Sequence, residues 1–334
     1  MERNNNIKLT SAEISALFQN YLNDTMSICV FQYMKEIIQD QEIKKVIEHA
    51  LDVSHQHVEI IRSIFKAESL PIPLGFTEQD VNHKAERLFS DTFCLYYLKY
   101  MTKGGLSNYG LILPQFFRED ILAFYNKSLT STMEINKEST ELLLEKGLAV
   151  RPPYIPYPQQ IEFVRKQSFL KGFLGEKRPL TGIEITQLYS NIQTNMLGES
   201  LAIAFSQVTE NKNVRNYFLR GKEIAEKHIG IFSSFLREEN LPVPMTWDHE
   251  ITVKQAAPFS DKLMMYHFGL MNYSGIGNYG MAISSCLRRD LVASFSGLTA
   301  EIMKYAEDGL NILIDEEWLE QPPLAADRDD LAMN

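Results

Sequence analysis

The chain repeats itself. "LTSAEI" at Leu9 returns as "LTGIEI" at Leu180, 171 residues on, and His57 falls on His228 at the same spacing. "ESLPIP" at Glu68 returns as "ENLPVP" at Glu239, again 171 residues on. "FSD" at Phe89 returns at Phe259, and from there a spacing of 170 holds. It relates Asn108-Tyr109-Gly110 to Asn278-Tyr279-Gly280, Arg118-x-Asp120 to Arg288-x-Asp290, and "LAVRPP" at Leu148 to "WLEQPP" at Trp318. Anchors in one order at a nearly constant spacing are the signature of tandem duplication. The lost residue falls between Pro244 and Phe259, in a Pro-containing connection where length changes are tolerated. The Asn-Tyr-Gly element therefore belongs to a repeated scaffold. It lacks the GxxxxGK[ST] or strand-borne GxGxxG context that a nucleotide loop needs.

Each unit reads as four helices. Thr10 or Ser11 is placed to cap the first, with Glu13 completing a capping box, and the helix is expected to run from Thr10 to Gln39. Ile14, Leu17, Tyr21, Asp24, Ile28 and Phe31 recur at helical spacing and define one inward stripe, matched by Ile185, Leu188, Ile192, Asn195, Glu199 and Ala202. The second helix is expected over Glu42–Glu68 and its copy over Asn213–Glu239. The Pro pair of "LPIP" then stops the helix. The following stretch, extended, can run the length of a bundle, which makes the second and third helices parallel. The third helix is expected over Lys84–Lys103 and beyond, the fourth over Gln115–Lys146. The fold class is all-α: a tandem duplication of a ferritin-like four-helix bundle with a long crossover connection in each bundle. Residues 1–150 form the first bundle and 180–322 the second. Residues 151–179 form a Pro-rich linker with a short amphipathic helix over Ile161–Phe173, and 323–334 an acidic, disordered tail.

The formal net charge of −10 excludes a broad nucleic-acid-binding face, which needs clustered Lys and Arg. No apolar run approaches the roughly 20 residues that span a bilayer, so no membrane partner is expected. The start "MERNNNIKLT" lacks the plan of a secretory leader. Three scattered cysteines with no CxxC pair fit a reducing compartment, so a cytoplasmic protein is expected.

The plan, with its "SNYG/GNYG", "RED/RRD", "QSFLKGFLGEKRPLT" and "WLEQPP" elements, resembles a family of paired ferritin-like bundles from spore-forming bacteria, related to spore coat protein F. The resemblance covers essentially the whole chain. It implies a spore association and coat proteins or further copies of the chain as partners, but no reaction.

Ferritin-like carboxylate sites use inward Glu residues on two helices and Glu-x-x-His on the other two. That motif is absent: Ser54 precedes His57 by three residues and Ala225 precedes His228. A reduced set remains. Glu199, His228, His267 and Glu301 are expected at similar heights in the second unit, an N/O set suited to Fe, Mn or Zn. In the first unit the equivalents are Ile28, His57, Tyr97 and Ser131, and Asp24, one turn from Ile28, can still pair with His57. The other reading of these residues is a buried imidazole hydrogen-bonded to a carboxylate. Two functions follow: a non-enzymatic structural or interaction protein, or a metal-binding protein with oxidase or iron-handling activity. No catalytic residue is assigned.

Overall fold

Helix starts in this chain are written in side chains. In the computed structural model, which describes residues 7–173 and 175–333, Thr10 and Thr181 cap α1 (Ser11–Ile37) and α5 (Gly182–Val208), each with a complete capping box to Glu13 or Glu184. Asp40 and Asn211 cap α2 (Gln41–Ala67) and α6 (Lys212–Glu238). Ser90 and Ser260 cap α3 (Asp91–Ile112) and α7 (Asp261–Ser285). The N-cap positions of α4 (Glu119–Glu145) and α8 (Arg289–Asp315) are Arg118 and Arg288, which give no side-chain cap. There the buried carboxylate of the first helix substitutes. Glu13 accepts the N–H groups of Phe117 (3.1 Å) and Arg118 (2.9 Å), and Glu184 those of Leu287 (3.1 Å) and Arg288 (2.9 Å). One carboxylate thus caps two helices and ties the ends of each repeat together.

The helix ends repeat too. Ser69, Asn240, Gly147 and Glu317 all take positive φ just past α2, α6, α4 and α8. In each case the next N–H returns to the carbonyl five residues back, as in Leu70 to Phe65 and Trp318 to Leu313. Apart from the ends of α3 (Ile112) and α7 (Ser285), the boundaries of the eight long helices therefore follow the 171- and 170-residue spacings found in the sequence. A ninth, short helix (α9, Arg328–Met333) lies in the tail for which disorder was expected. Residues 1–6, read above for a leader, and Leu174, within the "QSFLKGFLGEKRPLT" element, lie outside the described residues.

Two expectations need correction. The third helix begins at Asp91, not Lys84, because residues 81–90 turn at 83–84 and bridge to the other repeat through Val81 and Phe89. It continues through Gly104-Gly105, where a Cβ at Gly105 would stand 3.3 Å from Thr132 of α4, so a small residue permits close approach. The linker contains a 3-10 turn at Gln167–Leu170 in place of an amphipathic α-helix. Four prolines precede that segment, and Ile161 and Phe163 are 89% and 80% exposed, so no apolar surface stabilises helix there.

The repeats meet about a pseudo-two-fold axis. Among the described residues there is no strand, only the isolated antiparallel bridges Val81–Phe259 and Phe89–Ile251. Ser260 N–H donates to the Asp80 carbonyl and Ser90 N–H to that of Glu250, both at 3.0 Å. Phe76 of the first connection packs on Tyr266 of α7, and Trp247 of the second stacks on Tyr96 of α3 at 4.5 Å. On the axis itself the equivalent residues Tyr97 and His267 share a 2.6 Å hydrogen bond. Such reciprocity is the mark of an isologous dimer interface, here within one chain. One apolar core runs through both repeats, from Met26 and Phe93 to Phe205 and Phe295.

Cutting the linker should therefore not part the halves. With a protease site introduced between Gln159 and Gln160, both exposed, the cleaved chain is expected to elute as one particle and separate only in denaturant. Two separate peaks in native buffer would contradict the shared core.

Candidate functional site

The polar interior of each repeat centres on the histidine of its second helix. His57 is 5% and His228 0% exposed. In the first repeat, His57 Nδ1–H donates to Asp24 Oδ2 (3.2 Å), and Asn20 donates to the same oxygen (2.6 Å). The Phe124 ring meets the imidazole edge-on at 5.4 Å between centroids. In the second repeat, His228 Nε2 lies 3.0 Å from Glu301 Oε2 and Nδ1 lies 2.9 Å from the Tyr279 hydroxyl. Asn195 donates to that hydroxyl (2.8 Å) and to the Asn191 carbonyl. One neutral tautomer satisfies the whole chain: Nε2–H donates to Glu301, and the tyrosine O–H donates to Nδ1.

Comparing the repeats shows an exchange. Asp24 corresponds to Asn195, and Ser131 to Glu301. Each histidine keeps one carboxylate, but the first repeat supplies it from α1 and the second from α8. Where Glu301 would stand, the Ser131 hydroxyl bonds back to the Lys127 carbonyl at 3.1 Å. Buried imidazoles need a partner more than they need a particular one.

Electrostatics follow from burial. Burial lowers the His228 pKa, although Glu301 opposes this. Burial alone would raise Glu301, but its bonds to His228 and Lys227 hold it below the usual carboxylate range. Lys227 reaches both Glu301 oxygens at 2.9 Å, so the outer end of the chain is an ion pair at the surface. The Tyr279 hydroxyl is pushed upward by burial and stays protonated.

The four residues expected as a metal set occupy three places. His228 and Glu301 meet. His267 stands on the pseudo-two-fold axis against Tyr97 of the other repeat, with its Nδ1 unpartnered among the described residues, and burial pushes its pKa down to about 4. Glu199 is 3% exposed and faces the second crossover connection. Burial first, then Asp248 and Glu226, raise its pKa to about 7. Among the described residues no three His, Cys, Asp or Glu side chains stand close enough to hold one ion, so the four do not form one donor set. The reason is geometric. Position 267 of α7 belongs to the junction between repeats, and Glu199 is a turn beyond the level of His228.

The Arg-x-Asp elements fasten helix ends. Arg118 binds Asp120 through Nε (2.8 Å) and Nη2 (2.7 Å) and reaches Glu68 at the end of α2 (2.6 Å). Arg288 does the same with Asp290 and Glu239. Tyr279 links Asn195 to His228, a role that sequence spacing alone does not reveal. A Cβ at the adjacent Gly110 or Gly280 would meet nothing within 4 Å, so close helix approach does not require glycine there.

Fold and interior together define an all-helical tandem-repeat protein in which each repeat pairs the buried histidine of its second helix with a carboxylate. The chain belongs to the family described as "protein of unknown function (DUF3231)", whose model matches it twice, over residues 2–161 and 168–331. A solved structure of a "putative spore coat protein" from Bacillus halodurans C-125 is similar at 18% identity and a TM-score of 0.42, over 45% of this chain and 98% of that one. No curated protein matches. Among the described residues no helix is long and apolar enough to cross a membrane.

Proposed function

We propose that this is a non-enzymatic structural or interaction protein in which two ferritin-like bundles, residues 1–150 and 180–322, act as a fused dimer. The long connections at 68–90 and 239–260 have the lengths that ferritin-like crossovers require. Carrying the reading is the exchange of Asp24 and Ser131 for Asn195 and Glu301 around the paired histidines. An imidazole whose carboxylate has moved across the bundle while the pair persisted is serving as a buried hydrogen-bonding partner, not as an open ligand. The spore association implied by the sequence resemblance belongs to the same reading, with coat proteins or further copies as partners.

Elemental analysis of protein purified without an affinity tag tests it. The expected result is less than a tenth of an equivalent of Fe, Mn or Zn, and a melting temperature indifferent to added metal. Near-stoichiometric metal that is lost in His228→Ala would establish the metal-binding alternative instead.

A further inference from the structure

Between α5, α6, α7 and α8 lies a cavity of about 50 Å³ that shares Asn195 and Tyr279 with the His228 chain but contains neither His228 nor Glu301 in its lining. Two of the glycines lining it are unexplained by packing. A Cβ at Gly198 would come no closer than 3.7 Å to Met271 Cε, and one at Gly275 no closer than 3.9 Å to Ile302 Cδ1, both ordinary contacts. Gly221, by contrast, is required, since a Cβ there would stand 2.3 Å from the Tyr305 hydroxyl. Glycine inside a helix is less stable than alanine. At positions 198 and 275 alanine would fit and would only reduce the empty space. The first repeat has Ser27 at the position of Gly198.

The walls state what would occupy that space. No lining residue is charged, so a charged guest would lose hydration without compensation. Most of the lining is apolar, including Met271 and Ile302. The polar exceptions include Asn195 and Asn272. Both amide N–H groups of Asn195 are engaged, by Asn191 and Tyr279, and one of Asn272 by Tyr217, while among the described residues their side-chain oxygens accept no hydrogen bond. A guest that donates finds two open acceptors there.

We propose that the interior of the second repeat binds a small uncharged alcohol or primary amide, of about four to six heavy atoms given the volume one water requires. Its O–H or N–H is received by Asn195 or Asn272 and its short apolar body lies against Met271.

The test uses the full chain labelled at the methionine methyls, with 1-butanol and butyramide as probes. The Met271 signal, assigned through Met271→Leu, should shift saturably with at least one probe, alone or with methyls packed on the same cavity. Gly198→Val should weaken binding at least tenfold. Should that variant not fold, Gly275→Ala, which adds only a methyl group, should weaken binding severalfold. A linear shift spread over the methionines, an unmoved Met271, or unchanged binding in the filled variants would each overturn the proposal and leave the cavity to water.

Discussion

Glu199→Gln will stabilise the protein above neutral pH and leave it unchanged at pH 4. Glu199 is almost fully buried, its Oε2 has no partner among the described residues, and neither does Oδ1 of the nearby Asp248. Burial, Asp248 and Glu226 raise its pKa from 4.5 to about 7, with Lys222 the opposing charge. A raised acid pKa means the folded state holds a proton that the unfolded state releases. Between pH 4.5 and 7 the folded protein binds more protons, so stability falls as pH rises and the loss is complete above about 7. A displacement of that size is worth about 3 kcal/mol. Glutamine imitates the protonated acid and cannot ionise, so the variant escapes the loss.

His267 contributes with the opposite sign. Its pKa is held down from 6.5 to about 4, so the unfolded state binds the extra proton and stability falls as pH drops from 6.5 to 4. Between pH 4.5 and 6.5 the two slopes oppose each other, and their sum in the natural protein is nearly level. Glu199→Gln should uncover the His267 slope, giving a stability that rises with pH across that window. Urea unfolding at pH 4, 6 and 8 reads both effects. Equal stability of variant and parent at pH 8 would show that Glu199 ionises as an ordinary surface carboxylate.

Duplication made the covalent plan legible in advance. Caps at Thr10 and Thr181, the "LPIP" and "LPVP" stops and the inward stripes are local signals, and local signals fix where helices begin, end and face. The pairing of Asp24 with His57 was within reach because both lie on such stripes. What lay beyond sequence depended on how the repeats dock. Residues 84–90 have helix-compatible composition, yet they stay out of helix, and residues 88–90 pair with the backbone of residues 250–252. His267 shares a helical stripe with Leu263 and Leu270 and so looked like an inward residue of its own bundle. The axis turns that same face toward Tyr97. Glu301, expected at the height of His228, does meet it, because α8 packs against α6. Long-range partners are set by packing angles, which no spacing along one chain records.

The largest loss of stability from a single truncation is expected at Arg288. Its side chain is 0% exposed, and its guanidinium donates to Asp290 Oδ1 (3.0 Å) and Oδ2 (2.8 Å), to Glu239 Oε1 (3.1 Å) and to the Arg178 carbonyl (3.3 Å). Arg288→Ala leaves Asp290, itself 6% exposed, with only Lys177 at 3.5 Å as a compensating charge. Removing one partner of a buried ion pair costs about 3–5 kcal/mol, because the remaining charge stays desolvated. The same change at Arg118 is the internal control. There Asp120 is 51% and Glu68 28% exposed at the side chain, so water can take over, and the loss should be nearer 1 kcal/mol. Pairing Arg288→Met with Asp290→Leu should recover part of the loss by removing the stranded charge. Urea unfolding of the four proteins measures all of this. Equal losses at Arg288 and Arg118 would mean that burial of the second Arg-x-Asp element contributes nothing, and that both arginines act only as surface clasps.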